Sequence, residues 1–154
     1  MEHNFTNSES KVIAVDFDGT IVEHAFPKIG KEMLFALSTL KALQKKGHKL
    51  ILWTFRDGEL LEEAVEYCRQ GGVEFYSVNK SYPEEMYDLS ISRKINADLF
   101  IDDRNVGGFP GWSKIWQILH PEGGDFSHQL EDKEAHNNYR KKDKGFFGKM
   151  FGKD

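Results

Sequence analysis

The chain has 154 residues, of which 39% are hydrophobic and 30% charged, and its formal net charge is −4. This length suits one domain, and the composition is that of a globular protein rather than a disordered or membrane protein. A single cysteine, Cys68, excludes an internal disulfide framework, and it lies where a packed core thiol is expected. The polar start does not resemble a signal peptide, so we expect a cytoplasmic protein.

The two ends of the chain differ from its body. Residues 1–10 are polar and predict a disordered N-terminus. Residues 121–154 predict a flexible appendage, and from Tyr139 onward it holds six basic residues against two acidic ones. This end therefore carries +4 and the remainder −8, which disfavours general nucleic-acid binding by the body. Phenylalanines among its lysines would allow membrane contact, but three glycines favour disorder instead.

The first predicted strand covers residues 11–15 and leads directly into Asp16-Phe17-Asp18-Gly19-Thr20. Because burying an unpaired charge is costly, Asp16 and Asp18 must lie at the open carboxyl edge of this strand. Ligands bind at that edge in open α/β sheets. Residues 21–30, interrupted by Pro27, predict a small flap or hairpin over the strand end and not a cap domain.

Helices and strands alternate along the rest of the chain. Continuous apolar runs predict three more strands, over residues 49–53, 73–78 and 97–101. Helical patterns are predicted from about residue 33 to the stop at Gly47, and over residues 59–70, 84–90 and 112–119. This alternation predicts a single-domain, Rossmann-like α/β fold over residues 11–120, a parallel sheet with helices on both faces.

Polar side chains follow the ends of the predicted strands. Thr54 follows the second strand, and Asp102 and Asp103 follow the fourth. Parallel strands point the same way, so these residues should meet Asp16 and Asp18 at one edge. Carboxylates this close repel one another unless a cation lies among them, and oxygen ligands favour Mg²⁺. The four aspartates therefore predict a magnesium site, where one carboxylate can attack phosphorus and a neighbour can handle protons.

Other polar residues near the strand ends have two interpretations each. Arg56 and Arg104 can grip a phosphorylated substrate, or form ordinary salt bridges with the crowded acids. Thr54 can bind a phosphoryl group or cap the next helix. His24 can contact substrate from the flap or be an exposed loop histidine. The three tryptophans are interpreted as core aromatics, at positions 53, 112 and 116.

The order of these motifs resembles that of the haloacid dehalogenase (HAD) superfamily. The matching residues are Asp16-Phe17-Asp18-Gly19-Thr20, then Thr54, then a lysine, then Ile101-Asp102-Asp103. The likeness extends over about residues 12–119 and is greatest to small bacterial and phage HAD-like hydrolases with almost no cap. It implies a Mg²⁺-dependent phosphatase that works through an aspartyl-phosphate intermediate.

The resemblance also implies roles for individual residues. Asp16 would be the nucleophile, Asp18 the general acid/base, and Thr54 a ligand of the phosphoryl group. Asp102 would hold Mg²⁺ with Asp16 and the backbone carbonyl of Asp18. Asp103 would be a secondary or outer ligand. Thr20 joins Arg56 and Arg104 among the expected substrate-binding residues.

Two lysines are candidates for the position that faces the nucleophile. Lys80 directly follows the third predicted strand. Lys94 lies in Ser92-Arg93-Lys94, before the fourth strand, an arrangement that resembles the small HAD-like proteins. We prefer Lys94 and keep Lys80 as the alternative.

Other classes of function remain open at this stage. A receiver-like signalling domain also has a parallel sheet and a phospho-accepting aspartate, but here the third strand ends in Val78-Asn79 without one. The second alternative is a catalytically idle HAD-fold binding protein. The substrate would be a phosphorylated metabolite, nucleotide, nucleic-acid end, sugar or protein, and a homo-oligomer is possible because capless relatives often assemble.

Overall fold

Residues 9–121 are described by the computed structural model of this chain. The strands are β1 (Val12–Val15), β2 (Lys49–Leu52), β3 (Ser77–Val78) and β4 (Leu99–Ile101). The helices are α1 (Ala36–Lys45), α2 (Gly58–Gln70) and α3 (Trp112–Leu119). The predictions for the two ends of the chain fall almost entirely outside the described residues.

All four strands run parallel in one sheet, in the order β3-β2-β1-β4. Val15 is level with Leu52 on one side and Ile101 on the other, so β1, β2 and β4 end at the same height. The chain builds outward from β1 through β2 to β3 and then returns to place β4 on the other side of β1. That reversal makes a crevice at the carboxyl ends of β1 and β4, where α/β proteins bind ligands. The predicted Rossmann-like α/β fold class is confirmed.

The main core lies between the sheet and the helices. Ile13 and Val15 of β1 face the same side as Leu50 and Leu52 of β2, because side chains alternate along a strand. Helices α1, α2 and α3 all contribute buried side chains to this one cluster. Cys68 of α2 is among them, and burial raises the pKa of its thiol to about 12. The prediction of a packed core thiol is confirmed.

The opposite face of the sheet differs from the expectation of helices on both faces. Ala14 and Ile51 point to this face and pack against Ile95, which belongs to the irregular connection between β3 and β4. Right-handed crossovers carry that connection to the face opposite α1 and α2. In the described residues, this face is therefore covered by irregular chain and not by a second layer of helices.

The helix predicted over residues 84–90 is wrong, since turns and irregular chain occupy that segment. Its apolar residues do not reach a core, as Met86 and Leu89 are almost fully exposed. A short helix without tertiary packing is marginal in water. Asp88 also accepts a hydrogen bond from the backbone N–H of Ser90 at 2.7 Å, a local bond that competes with helix formation.

Several boundaries also differ from the sequence pattern. The strand predicted over residues 73–78 pairs only at Ser77–Val78. Helix α1 begins at Ala36, because Glu32 is still paired antiparallel with Val22. That pairing, with a hydrogen bond from Glu23 N–H to the Lys31 carbonyl at 2.8 Å, closes a hairpin and confirms the predicted flap. Within residues 9–121, none of the helices has the length and apolar character needed to cross a bilayer.

Candidate active site

Three carboxylates meet in the crevice between β1 and β4. Asp16, Asp102 and Asp103 each offer an oxygen, and these oxygens lie within 4.8 Å of one another. Strand pairing brings them together, because the backbone N–H of Asp16 donates to the carbonyl of Ile101 at 2.9 Å. An all-oxygen, anionic set of donors fits a hard cation such as Mg²⁺. The Asp18 carboxylate does not belong to this group.

Thr20 and His24 contact the carboxylates of this cluster through their side chains. Thr20 is fully buried, with its hydroxyl oxygen 3.4 Å from Asp16 Oδ2 and 3.3 Å from Asp103 Oδ1. The Thr20 hydroxyl oxygen also accepts the backbone N–H of Asp103 at 3.1 Å. Because the hydroxyl has a single proton, it can donate to only one of the two carboxylates. His24 Nε2 is 2.8 Å from Asp103 Oδ2. The substrate-binding role expected for Thr20 does not fit this geometry, which makes it a support for the acids.

Crowding and burial change the protonation of the acids. Burial raises the pKa of the Asp16 carboxyl to about 7, and the charges of Asp102 and Asp103 add to the effect. Burial also opposes ionisation of Asp103, but hydrogen bonds from His24 and Asp16 outweigh it and lower the pKa of that carboxyl. Of the two carboxyls, Asp16 therefore takes up a proton more readily than Asp103. A cation among these oxygens would instead favour their ionised forms.

Arg56 is buried beneath the site and binds Asp18. Its Nε and Nη2 donate to the two carboxylate oxygens of Asp18 at 2.8 and 2.7 Å. Its Nη1 and Nη2 donate to the carbonyls of Pro27 and Lys28 in the flap, at 3.0 and 2.9 Å. With 1% of its surface exposed, Arg56 has no side-chain face left for a ligand. The substrate contact expected of Arg56 is therefore replaced by a bidentate hold on Asp18.

Thr54 lies at the end of β2 and opens to the same cavity. Its hydroxyl oxygen accepts the backbone N–H of Arg56 at 3.2 Å, and its own N–H donates to Asn79 Oδ1 at 2.8 Å. The hydroxyl proton stays available to a ligand. Helix α2 instead begins after Asp57, without a side-chain cap from either residue.

A cavity of about 630 Å³ opens above these groups. Its walls carry acidic, aromatic and hydroxyl side chains, which are Asp16, Asp18, His24, Phe26, Trp53, Thr54, Phe55, Asp102 and Arg104. Of the expected substrate-binding residues, Arg104 is the one that reaches this wall. It is exposed at the rim, and its backbone N–H donates to Asp102 Oδ1 at 2.8 Å.

Neither candidate lysine lines this cavity. Lys80 is exposed just beyond β3, and β3 is separated from β1 by β2. Lys94 is exposed on the other face of the sheet, where its ammonium lies 5.9 Å from the centre of the Phe100 ring in β4. Lys94 is therefore beside the strand that leads into Asp102, and Lys80 is at the far edge.

Three features of the site were not predicted. Asn79 positions Thr54, and the rule that polar residues after a parallel strand face the ligand would have found it. Trp53 packs against the smaller cluster of Ala14, Ile51 and Ile95 and also lines the cavity, which was not expected, whereas Trp112 and Trp116 lie in the main core as predicted. Phe26 and Phe55 line the cavity, but no pattern in the sequence distinguishes an exposed wall aromatic from a buried one.

The fold and the site define an α/β protein with a parallel, Rossmann-like sheet and a carboxylate cluster at its ligand-binding edge. No protein-family model matches the chain, and no curated protein matches it. The chain is similar to the solved structure described as that of a conserved protein coded by a locus from Bacteroides thetaiotaomicron. The two are 57% identical, the match covers 77% of this chain and 96% of that one, and the TM-score is 0.69. The chain belongs to the same family as that conserved protein.

Proposed function

We propose that this protein is a Mg²⁺-dependent phosphomonoester hydrolase of the HAD type that acts through an aspartyl-phosphate. One observation carries the proposal. The crevice at the carboxyl ends of β1 and β4 brings together the carboxylates of Asp16, Asp102 and Asp103. Asp18, two residues after Asp16, lines the cavity above them. The motif order supports the same conclusion.

Asp16, Asp102 and Asp103 would hold the cation, with the backbone carbonyl of Asp18. When bound, Mg²⁺ would neutralise these acids and the phosphoryl oxygens. An oxygen of Asp16 then attacks phosphorus, and the bond to the leaving oxygen breaks as the acyl-phosphate bond forms. Thr54 donates its hydroxyl proton to a phosphoryl oxygen, which stabilises the charge that is transferred.

Asp18 would carry the proton in both halves of the reaction. In the first half it gives a proton to the leaving alkoxide, and in the second it takes one from the water that cleaves the acyl-phosphate. The net reaction consumes one water and yields an alcohol and inorganic phosphate. Each oxygen of Asp18 accepts one hydrogen bond from Arg56, which leaves a second lone pair on each for a proton. Asp18 also lines the cavity, so it can exchange that proton with a bound substrate or water.

Of the two candidate lysines, we propose Lys94 for the motif position, and it would have to move from the other face of the sheet to reach Asp16. The place of Lys94 beside β4 supports this choice over Lys80, which follows an edge strand. We expect Lys94→Ala to reduce kcat/KM by orders of magnitude and Lys80→Ala to have little effect. Equal and mild losses in the two variants would contradict the assignment.

The decisive experiment measures phosphate release from a broad panel of phosphomonoesters with Mg²⁺. Wild type is compared with Asp16→Asn and with Asp98→Asn, a matched change at the opposite edge of the sheet, where Asp98 accepts the N–H of Val12. Asp16→Asn should be inactive and should show no phosphate adduct by intact mass after acid quench. Equal release by wild type and Asp16→Asn would overturn the proposal.

A binding protein without turnover is the second candidate. It is favoured by the absence of a lysine from the cavity wall in the described residues and by the hold of Arg56 on Asp18. Such a protein would bind Mg²⁺ and phosphate ligands without releasing phosphate from any member of the panel.

A further inference from the structure

The cavity has an aromatic half beside its carboxylates. Phe26 of the flap and Trp53 and Phe55 after β2 line it, and the rings of Phe26 and Phe55 meet edge to face with centroids 6.3 Å apart. Phe55 is 93% exposed. A large aromatic side chain gains nothing from burial at such a position, so the ring is available as a stacking surface.

Phe26 is held in place from behind. The guanidinium of Arg56 lies 5.3 Å from the centre of the Phe26 ring and 5.0 Å from that of Phe17, on its buried side. The same guanidinium binds the carbonyls of Pro27 and Lys28, which directly follow Phe26. The hairpin that carries Phe26 is thereby tied to the core. Phe26 is therefore fixed before a ligand arrives, which lowers the cost of binding at this part of the wall.

Arg104 supplies a cation at the rim of the same cavity. Its side chain is exposed, and its guanidinium makes no hydrogen bond to another residue of the described range. A guanidinium plane can stack on an aromatic ring and can also bind an anionic group. The aromatic rings of the wall and an arginine at the rim can all stack on a flat, conjugated group.

We propose that the aromatic half of the cavity binds a planar ring carried by the leaving group. The substrate would then be a phosphomonoester whose alcohol bears a nucleobase or an aryl ring. This inference rests on the proposed function, since the phosphoryl group is assigned to the carboxylate half. Stacking one ring on aromatic side chains is worth about tenfold or more in affinity.

The test compares substrates that differ only in the ring. Adenosine 5′-monophosphate and ribose 5-phosphate present the same primary ester, so their chemistry is alike and the adenine is the difference. For the full-length protein with Mg²⁺, kcat/KM for the nucleotide should exceed that for the sugar phosphate by about tenfold or more. The affinities of the Asp16→Asn protein for phenyl phosphate and methyl phosphate are compared in the same way. Tighter binding of phenyl phosphate would show that the site accepts a simple aryl ring.

Substitutions at Phe55 test whether the preference for the nucleotide comes from the aromatic wall of the cavity. Phe55→Ala should bring the nucleotide-to-sugar ratio close to one, whereas Phe55→Tyr should keep it. Leu89→Ala is the matched control, because Leu89 is also 93% exposed but does not line the cavity, and it should leave the ratio unchanged. A wild-type ratio near one together with equal binding of phenyl and methyl phosphate would overturn the inference. So would equal losses for both substrates in Phe55→Ala.

Titrations with Asp16→Asn distinguish failure of the ring site from failure of the hydrolase. Fluorescence of Trp53, which lines the cavity, reports binding of each ligand without turnover, and Trp53→Phe removes the signal. Tighter binding of the nucleotide, lost in Phe55→Ala, supports the ring site even if wild type releases no phosphate. Hydrolysis of both substrates at equal kcat/KM, with equal binding of all four ligands, would contradict the ring site and leave the proposed hydrolase activity standing.

Discussion

The position of the Asp18 carboxylate is decided by one buried residue, Arg56. The pair is bidentate, and the exposed fractions of the two side chains are 0% for Arg56 and 13% for Asp18. Arg56 also joins Asp18 to the flap through two carbonyls. A single side chain thus links the acid of the proposed reaction to the wall of its cavity.

Arg56→Met should therefore lower the free energy of unfolding by about 3–5 kcal/mol, because it leaves the Asp18 carboxylate without its partner. Arg56→Lys should cost less, since the charge remains although the bidentate geometry is lost. Urea unfolding measures both. Arg69→Met is the control, because its pair with Glu66 is exposed to solvent and therefore contributes little to stability. Equal losses for the Arg56→Met and Arg69→Met variants would contradict this prediction.

Gly19 is the other residue on which the site depends. It has φ +86°, and a Cβ there would overlap His24 and the carboxylate of Asp103. We expect Gly19→Ala to destabilise the protein and to weaken Mg²⁺ binding. Gly47→Ala is the control for the cost of placing a Cβ at positive φ, because Gly47 has φ +91° and open space around it, so no steric overlap is added. Urea unfolding and Mg²⁺ titration should show the larger stability loss, and the only loss of Mg²⁺ affinity, in Gly19→Ala.

At the scale of elements, side-chain contacts link neighbouring segments at both ends of the parallel strands. The carboxyl edge carries the acids, and the opposite edge carries a pair of histidines. His48 Nδ1 accepts the backbone N–H of Lys11 at 3.1 Å, and its Nε2 is 3.3 Å from Nε2 of His120. The His120 ring packs against the ring of Trp116 in α3, with centroids 4.4 Å apart and a tilt of 38° between the ring planes. Because His48 Nδ1 is an acceptor, its Nε2 must carry the proton that His120 receives.

This histidine pair should make stability depend on pH. Burial, with the charge of Lys11, lowers the pKa of His48, and burial, with the charges of His48 and Lys46, lowers the pKa of His120. The unfolded chain therefore binds protons more readily, so stability is full above the ordinary histidine pKa of about 6.5 and falls below it. His120→Phe keeps a ring packed against Trp116 and removes one titrating ring. Its urea midpoint should fall less than that of wild type between pH 7 and pH 5, and equal falls would contradict the prediction.

At the scale of the molecule, three carboxylates of an acidic body meet in one crevice. Three carboxylates held together without a cation destabilise the fold, and a cation that binds only the folded state stabilises it. Mg²⁺ at 100 times its Kd should add about 2.7 kcal/mol to the free energy of unfolding. Asp102→Asn should raise stability without Mg²⁺, because it relieves repulsion, and should abolish the response to Mg²⁺. Melting temperatures at matched ionic strength test both, and an unchanged response in Asp102→Asn would contradict the assignment.

The strand ends show how far sequence reasoning reaches. Asp16 and Asp102 could be brought together from the sequence because apolar runs set the strands and parallel strands share one edge. Arg56 follows a strand as Thr54 does, yet its side chain turns inward, since Asp18 and the flap carbonyls satisfy it there. Residues 84–90 carry a plausible helical pattern, but no surface of the sheet receives their apolar side chains.

By itself, the sequence determined the α/β class, the carboxyl edge of the sheet and the acids that collect there. Local patterns suffice for these features because hydrophobic periodicity and the cost of burying charge act over a few residues. Only the tertiary structure decided that Thr20 and Arg56 support the acids from inside, that no helix within residues 9–121 covers the second sheet face, and that Phe26 and Phe55 form a wall. Each of these depends on which distant residues supply hydrogen bonds or packing, and that is a property of the folded chain.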